Sequence, residues 1–414
     1  MKIIIAGGGV IGLCAAYYLN KSGNEITVIE KNDITTGASF GNAGYISPSH
    51  FIPLASPGIV AQGLRWMLNS SSPFYIKPRL NTDLVKFCYT FFKNANENNV
   101  RRNAPHLCNL LNLSRQETIN IKNELGNTFK MEEKGCLMLF KNIVAEKHEI
   151  ELIKVANNFN VEARMLNAGE VQAMEPDVKV NIRGAAYYPM DCHLHPGDFM
   201  HALKLYLENA GVKFLLNTTI INVEKNTGKV TSVITDKEKI VCDELVIAAG
   251  SWSASIAAKL GIRIILQAGK GYSITYNNIK CNLRYPAILV ERRVALTPMG
   301  KDLRMGGTME ISGLKSLPIL KRAKAIYNAA KEYYPDLEVS FPEPKMIWSG
   351  LRPLSPDGLP YIGRPKNFKN VLIATGHAML GLSLAAATGK LCNEIIDHKQ
   401  TSVDIEAFCI ERFN

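Results

Sequence analysis

The residues with the most informative spacing are three glycines near the start of the chain, Gly7, Gly9 and Gly12. They directly follow the apolar segment 2–6, and Glu30 stands 18 positions beyond Gly12. Glycines with this spacing permit a tight turn, close approach of the backbone to a pyrophosphate, and close packing of a helix on a strand. The amides at the start of that helix favour phosphate, and an acid such as Glu30 binds a ribose hydroxyl. The spacing predicts a dinucleotide site, and the acid at position 30 disfavours a 2′-phosphate.

Four other side chains have chemistry suited to a small substrate that carries a carboxylate and an amine. The planar guanidinium of Arg352 matches a carboxylate at two points, and the phenol of Tyr272 can donate to the same group. His50 and His377 are of a type that titrates near neutral pH and could accept an ammonium proton. Structural roles stay open for all four. Arg352 could tie two loops, Tyr272 could stand at the edge of the core, and His50 could lie on a surface loop. His377 could orient backbone or contact a cofactor.

A second histidine pair, His193 and His195, has Asp191 and Asp198 nearby and superficially suggests a metal site. No further ligand set accompanies the pair, whereas a structural zinc site needs four ligands. We interpret residues 195–197 as the turn before a helix at 198–210. No metal is predicted.

The glycine turn requires a strand before it and a helix after it. Residues 2–6 are apolar without alternation, which is typical of a buried parallel strand. Residues 10–22 then predict a helix and residues 25–30 a second strand. A strand–helix–strand unit completed within about 30 residues indicates a parallel sheet.

The rest of the chain predicts a second kind of architecture. Residues 51–80 are rich in Pro, Ser and Gly and predict a long irregular segment. Helices are predicted at 82–125, 144–160, 198–210 and 318–333. Strands are predicted at 135–140, 212–216, 220–225, 230–235 and 245–248. Short strands alternate with turns over 272–310, which favours an antiparallel sheet.

Composition limits the class of protein. A chain of 414 residues with 47% hydrophobic and 21% charged residues is typical of a two-domain globular enzyme. The net charge of +11 is spread along the chain without a Lys/Arg block, so no nucleic-acid partner is predicted. The nine cysteines show no metal spacing and predict free thiols in the cytoplasm. No run of about 18 apolar residues predicts a membrane-spanning helix.

Several segments spread along the chain resemble motifs of one flavoprotein superfamily. The segments are 37–45, which is rich in small residues, 245–252, 350–363 and 374–381. Together they resemble the D-amino acid oxidase/glycine oxidase superfamily. The insertion over 48–92, the element 270–272 and the segment 297–308 are similar to the D-amino acid dehydrogenase group. The Pro48-Ser49-His50 pattern is less general in that group, which puts a simple D-alanine-like substrate in doubt.

The resemblance implies the cofactor and the residues around it. The cofactor is expected to be FAD, bound non-covalently, because the segment around Arg352 stands where sarcosine oxidases carry a flavin-linked cysteine. The catalytic residues are expected to be Arg352, Tyr272 and His50. The cofactor-binding residues are expected to be Gly7, Gly9, Val10, Ile11, Gly12, Glu30, Lys31, Ser39, Asn42, Ala43, Gly44, Val223, Ala249, Gly250, Trp252, Gly376, His377, Met379 and Gly381.

The expected fold class is α/β, with a Rossmann-type FAD-binding domain and a second α+β substrate domain built on an antiparallel sheet. The FAD-binding domain is predicted to be discontinuous, over 1–50, 190–265 and 345–414. The substrate domain is predicted over 51–189 and 266–344.

The expected reaction is oxidative deamination of a D-amino or cyclic imino acid, with hydride passing from Cα to flavin N5. Two alternatives stay open: an oxidase that uses O₂ on glycine, sarcosine or 4-hydroxy-D-proline, and a non-catalytic subunit that carries FAD. The partners expected are a carboxylate-bearing amine and an electron acceptor, which is a quinone or another compound. The aromatic segment 84–92 has basic neighbours and could place the protein at the inner face of the cell membrane, or it could be an ordinary core helix.

Overall fold

The computed structural model describes residues 1–67, 72–79, 81–314 and 318–413. The strands in these ranges are β1 (Lys2–Ala6), β2 (Glu25–Ile29), β3 (Tyr45–Ile46), β4 (Phe74–Ile76), β5 (Cys136–Phe140), β6 (Arg164–Asn167), β7 (Gly184–Tyr188), β8 (Cys192–His193), β9 (Lys213–Leu215), β10 (Ile220–Asn226), β11 (Lys229–Thr235), β12 (Lys239–Val241), β13 (Glu244–Ile247), β14 (Gln267–Tyr276), β15 (Ala287–Leu289), β16 (Val294–Met299), β17 (Asp302–Ile311), β18 (Ile347–Leu354), β19 (Tyr361–Gly363) and β20 (Val371–Thr375). The α-helices are α1 (Val10–Lys21), α2 (Ile59–Met67), α3 (Thr82–Asn94), α4 (Glu97–Leu125), α5 (Ile143–Asn158), α6 (Ala168–Met174), α7 (Pro196–Asn209), α8 (Ser253–Lys259), α9 (Leu320–Tyr333) and α10 (Ala385–Ile396).

The first sheet has the strand order β19–β20–β13–β1–β2–β9, and only the β19–β20 pair is antiparallel. Both faces of this sheet are covered. On one face Ile3, Ile5 and Val28 are buried against α1. On the other face Ile4 and Leu245 pack with Val223. Burial on two faces explains why β1 is apolar without alternation. The predicted parallel sheet is confirmed.

The second sheet is larger and mostly antiparallel, with the order β18–β14–β17–β16–β15–β5–β7–β6 and with β4 beside β17. The pairs β15–β5 and β17–β4 are parallel. Helix α9 covers one face of this sheet, where it buries Ile326, Ala330 and Tyr333. The predicted fold class, a Rossmann-type domain with a second α+β domain, is therefore confirmed.

Two segments differ from the sequence prediction. The segment 51–80 is not irregular throughout, because it contains α2 and β4. Strand β4 pairs with the distant strand β17, with Phe74 opposite Met309, and local patterning cannot reveal such a long-range pairing. The predicted helix at 82–125 is interrupted between α3 and α4, where the Asn96 side chain caps α4 by accepting from the Asn99 N–H group.

Strand β18 links the two sheets. It pairs with β14 in the larger sheet, and its last residue, Leu354, forms a bridge with His377 beyond β20 of the first sheet. Residues 347–354 therefore join the larger sheet although they fall in the segment predicted for the FAD-binding domain. The domain boundaries themselves stay a prediction.

No helix of the described ranges has both the length and the apolar character that crossing a bilayer requires.

Candidate active site

The glycine turn after β1 has the geometry that its sequence predicts. Gly7 has a φ of +117°, and a Cβ atom there would lie 2.5 Å from the Ala248 carbonyl oxygen. A Cβ atom on Gly12 would overlap the Gly7 carbonyl oxygen, so α1 packs directly against the turn. Gly9 precedes α1 and has no side chain to cap it, and the first amide of the helix, that of Val10, donates to Ser39 Oγ at 3.1 Å. The remaining amides of this first turn, at the positive end of the helix dipole, form a site that favours phosphate.

Glu30 stands at the carboxyl end of β2, beside this turn. One carboxylate oxygen accepts from the Gly8 N–H group at 2.9 Å, and the other accepts from the Asn32 N–H group at 3.1 Å. These bonds fix the carboxylate against the glycine turn, and both Glu30 and Gly8 line the neighbouring cleft. A carboxylate at this place fits a ribose hydroxyl.

A cleft follows the carboxyl ends of the parallel strands β1, β2, β13 and β20, where ligands of such sheets bind. The expected cofactor residues that line it are Gly7, Gly9, Val10, Ile11, Glu30, Lys31, Ser39, Asn42, Ala249, Gly250, Trp252, His377 and Gly381. Arg352, expected to be catalytic, also lines it.

The other expected cofactor residues lie outside the cleft lining, and these are Gly12, Ala43, Gly44, Val223, Gly376 and Met379. Val223 is only 4% exposed and packs with Ile4 and Leu245 in the core below the sheet. Met379 is exposed on the turn after His377. Their contact with the cofactor stays a prediction.

Sequence reasoning missed part of the cleft wall, including the residues after β9. The missed lining residues include Thr218, Thr219, Ser251, Ser255, Lys259 and Thr375. Thr218 and Thr219 could have been found, because the carboxyl end of every parallel strand reaches the same edge of the sheet. At this edge the Lys31 ammonium lies 3.0 Å from the centroid of the Trp252 ring, a cation–π contact.

The segment 37–45 is held by side chains of the larger sheet, through a set of contacts that we call the carbonyl clamp. Ser273 Oγ donates to the Gly41 carbonyl at 3.0 Å, and Thr297 Oγ1 donates to the Ala43 carbonyl at 2.6 Å. The Arg304 guanidinium donates to the carbonyls of residues 40 and 42, at 3.1 and 2.8 Å. Four consecutive carbonyls are therefore satisfied by one face of the sheet. These three side chains were not expected as site residues.

The clamp leaves part of the loop available to a ligand. Within the described ranges, neither the Gly41 N–H group nor the Ala43 N–H group donates to a protein acceptor. Asn42 lines the cleft, and its side chain accepts from the Gly44 N–H group at 2.8 Å. A loop with bound carbonyls and unused amides suits the electron-rich edge of a flavin ring.

Arg352 lies on β18 with its guanidinium over Gly271 of β14. It donates one hydrogen bond, at 2.6 Å, to the Thr308 carbonyl oxygen. No carboxylate of the described residues lies within 4 Å of it. Burial lowers the pKa of Arg352 to about 10, so the side chain stays charged at neutral pH. A partly buried cation with unused donors at a cleft is suited to a carboxylate ligand.

The Tyr272 side chain does not lie beside Arg352, where a shared contact with the substrate carboxylate would require it. Side chains alternate along β14, so Tyr272 faces away from Gly271 and Ser273, whose face carries Arg352 and the clamp. Its hydroxyl donates to Glu310 at 2.7 Å and accepts from the Ile319 N–H group at 3.0 Å. The hydroxyl is thus already paired on the opposite face from Arg352, an arrangement that does not favour a shared substrate carboxylate.

Two histidines near the site are held neutral. Burial lowers the pKa of His377 to about 3, and its Nε2 atom lies 3.0 Å from Thr388 Oγ1. The Thr388 hydroxyl donates to the Leu384 carbonyl, so Nε2 carries the histidine proton. Burial, and secondarily the nearby Arg293 guanidinium, lowers the pKa of His50 to about 4. His50 follows β3 in a single turn, outside the cleft lining.

The other histidine pair is structural in this fold. His195 caps α7, because its Nδ1 atom accepts from the Asp198 N–H group at 3.0 Å. His193 is completely buried on β8. The helix predicted at 198–210 is present, but it begins at Pro196, so the predicted turn at 195–197 is wrong and only His195 precedes the helix, as its cap.

The carbonyl clamp leads to a prediction about FAD affinity. Thr297→Val removes one neutral hydrogen bond, worth about 1 kcal/mol, and should weaken FAD binding about fivefold. Arg304→Gln removes charge-assisted bonds, worth about 1.5–3 kcal/mol, and should weaken it at least about tenfold. FAD titration into the apoprotein, followed by flavin fluorescence, measures both. Thr235→Val is the control, because this Thr bonds the Glu238 carbonyl far from the loop. Equal affinities for Thr297→Val and Thr235→Val would contradict the prediction.

Comparison with known proteins agrees with this geometry. The model of the FAD dependent oxidoreductase family matches residues 2–395. The D-amino acid dehydrogenase of Bradyrhizobium diazoefficiens is 31% identical over 427 aligned positions, which cover 100% of this chain and 99% of that protein.

Two solved structures have the same fold. Glycine oxidase from Geobacillus kaustophilus superposes with a TM-score of 0.79 at 21% identity, covering 100% of this chain and 98% of the other. L-proline dehydrogenase from P. horikoshii superposes with a TM-score of 0.78 at 21% identity, covering 100% and 97%. The family resemblance of the sequence motifs is confirmed. The chain belongs to the family of FAD-dependent oxidoreductases.

Proposed function

We propose that this protein oxidises a D-amino acid or a cyclic imino acid by removing hydride from the substrate Cα. The observation that carries the proposal is the Arg352 guanidinium, which is charged, largely enclosed and without a carboxylate partner of the described residues at the edge of the cleft. An amino acid supplies the missing carboxylate. The name of the Bradyrhizobium relative, D-amino acid dehydrogenase, supports the D configuration. The likeness to L-proline dehydrogenase concerns the fold alone.

The cleft fits FAD on structural grounds. Gly7 and Gly12 leave no room for side chains, the start of α1 suits a pyrophosphate, and Glu30 suits the ribose. The residues proposed to hold the cofactor are those of the glycine turn, Glu30, the clamped loop and the segment around His377. Non-covalent binding is part of the proposal.

The protein's own contribution is to bind, orient and deprotonate the substrate. FAD, when bound, accepts the hydride at N5, so that chemistry belongs to the cofactor. Arg352 binds the carboxylate through its free N–H groups and thereby fixes the position of Cα. The substrate nitrogen must be neutral for its lone pair to assist hydride loss. Arg352 is permanently charged, whereas His377 is held neutral, so the local field favours a neutral amine over an ammonium.

A screen of reductants tests the proposed function. Anaerobic addition of D-amino acids, D-proline derivatives, glycine and sarcosine should bleach the oxidised flavin band with the D-amino or D-imino acids. Fast peroxide release under air would favour the oxidase alternative. FAD that stays bound but oxidised with every compound would overturn the proposal and favour a non-catalytic FAD-carrying subunit.

Arg352 gives a second test. Arg352→Ala should raise KM for the amino acid about 10- to 100-fold, because hydrogen bonds to a charged group contribute about 1.5–3 kcal/mol. The purified variant should stay yellow, because the change removes a substrate contact. Arg284→Ala, which breaks an exposed pair with Asp177, is the matched control. A change in KM below threefold would remove Arg352 from the proposed role.

A second proposal concerns the electron acceptor and rests on the surface of α3. Val85, Tyr89 and Phe92 are 66%, 58% and 66% exposed, and their spacing puts them on one face of the helix. The opposite face is buried through Leu84 and Phe87. We propose that this exposed face contacts an acidic bilayer and brings the enzyme to a membrane quinone. Exposed lysines at 77, 86 and 93 provide the charge complementarity.

Vesicle binding tests this surface. The triple variant Val85→Ser, Tyr89→Ser, Phe92→Ser should lose most of its co-sedimentation with vesicles that contain phosphatidylglycerol, because apolar burial supplies much of the binding energy. Binding of the wild type should weaken with added salt. A control triple variant, Val144→Ser, Leu205→Ser, Val241→Ser, alters equally exposed residues on other elements. No binding by the wild type, or equal loss in both variants, would contradict the proposal.

A further inference from the structure

One buried carboxylate, Asp191, has no part in the chemistry described so far. It precedes β8, has no solvent exposure, and no cation of the described residues lies within 4 Å of it. Both of its oxygens accept from Ser49: Oδ1 from the Ser49 N–H group at 3.0 Å and Oδ2 from the Ser49 hydroxyl at 2.6 Å. A buried carboxylate without a cation in contact is unfavourable, and such groups are frequent at functional sites.

The hydrogen bonds continue from Ser49 to His50. Ser49 Oγ lies 2.9 Å from His50 Nδ1. The serine hydroxyl has one proton, and that proton is donated to Asp191, so Nδ1 must carry the proton shared with Ser49. The histidine is therefore held in one tautomer, in which Nε2 has a free lone pair. Asp191, Ser49 and His50 form a continuous chain that ends in a base.

We propose that this chain is a proton relay that removes the ammonium proton of the bound amino acid. The inference rests on the proposed function and adds a proton acceptor to it. The substrate N–H bond breaks as His50 Nε2–H forms, and His50 Nδ1–H breaks as Ser49 Oγ–H forms. The original Ser49 proton passes to Asp191 Oδ2. One proton leaves the substrate, one arrives on Asp191, and the substrate nitrogen keeps its lone pair.

The position of His50 relates the relay to the carboxylate anchor. Strand β3 leads directly from the clamped loop into the turn Pro48–His50. The nearest cation that acts on His50 is Arg293, whose carbonyl oxygen lies 3.2 Å from the position of a Cβ atom on Gly307. The next residue of β17, Thr308, accepts the hydrogen bond from Arg352. The proposal therefore places His50 toward the part of the sheet that Arg352 contacts, which suits a substrate with its amine and carboxylate on adjacent carbons.

The proton affinities of the two ends favour transfer toward Asp191. Burial raises the pKa of Asp191 to about 7, although the Ser49 bonds oppose this, and the pKa of His50 is lowered to about 4. His50 alone would not keep a proton at neutral pH, whereas Asp191 can. Below its pKa Asp191 is already protonated and the relay cannot accept a proton. Above its pKa the relay is open, so the rate should rise with pH through about 7.

The other titratable groups around Asp191 come from every element packed on it. The positive group is Arg115 of α4, whose charge favours the carboxylate form. The remaining groups that interact with Asp191 are Tyr45 of β3, Cys136 of β5, Tyr188 of β7 and Cys192 of β8, all with raised pKa values caused by burial. They are neutral at pH 7. Around His50 the charged groups are Arg293 and, acting on Arg293 through its charge, the buried Glu149 of α5.

The experiment measures anaerobic flavin reduction of the FAD-loaded enzyme by D-alanine and by D-proline in stopped flow, from pH 5.5 to 10. In the wild type, the reduction rate at low substrate should rise with an inflection near pH 7. Ser49→Ala and Asp191→Asn should lower this rate about 10- to 100-fold at pH 7 and remove the inflection. The loss of rate in these two variants should become smaller toward pH 10, because the amino acid then binds with its amine already neutral. Ser49→Thr, which keeps the hydroxyl, should restore the wild-type profile.

A matched control separates the relay from a merely structural effect. Glu175 is another buried carboxylate whose pKa burial raises to about 7, and it accepts from the Arg284 and Tyr285 N–H groups. Glu175→Gln should keep the wild-type pH profile. A structural role for Ser49 would lower the rate equally at pH 7 and pH 10, or reduce FAD content, and either result overturns the relay. So does an inflection that persists in Asp191→Asn. A wild-type flavin that neither compound reduces overturns the proposed function itself and the relay with it.

Discussion

The organisation of the site depends on one set of hydrogen bonds, in which four consecutive carbonyls at positions 40–43 accept from the larger sheet. The loop that carries these carbonyls lies at the edge of the first sheet, beside the glycine turn. Its donors, Ser273, Thr297 and Arg304, belong to the second sheet. The proposed flavin site and the proposed substrate anchor lie on separate sheets, so they can act together only if their separation is fixed. The carbonyl clamp provides that constraint, because a buried carbonyl that loses its donor is costly.

The clamp also explains why a buried arginine is tolerated here. Burial lowers the pKa of Arg304 to about 10, and its nearest acids, Asp198 and Asp302, act only at a distance. Carbonyl oxygens and Thr275 Oγ1 compensate the charge through hydrogen bonds. Arg352 is less fully compensated, with one carbonyl partner. The donors of Arg304 are used within the fold, whereas Arg352 keeps donors that are available for a ligand. This difference is the reason why Arg352, and not Arg304, is proposed to bind a ligand.

The sequence allowed prediction of the features whose cause is local. The glycine turn, β1, α1, β2 and Glu30 follow from steric limits and from a parallel strand buried on both faces. The clamp could not be predicted, because its residues lie about 230 to 265 positions from the loop and join it only through tertiary packing. The same holds for β4, which is ordered by pairing with β17. For Tyr272 the motif could be recognised from the sequence but the face of the strand that it occupies could not, so its contact with the substrate stays a prediction.

Electrostatics connect the parts into one requirement for the substrate. Arg352 and Arg304 keep positive charge at neutral pH, whereas burial holds His50 and His377 neutral. Positive charge near the amine lowers the pKa of a bound ammonium group, and the same charge stabilises the substrate carboxylate. A protonated histidine at either position would repel the ammonium group and could not accept its proton. In the proposed reaction, fixed cations and neutral histidines would therefore favour an anionic amino acid with a neutral nitrogen, which is the form from which hydride leaves most readily.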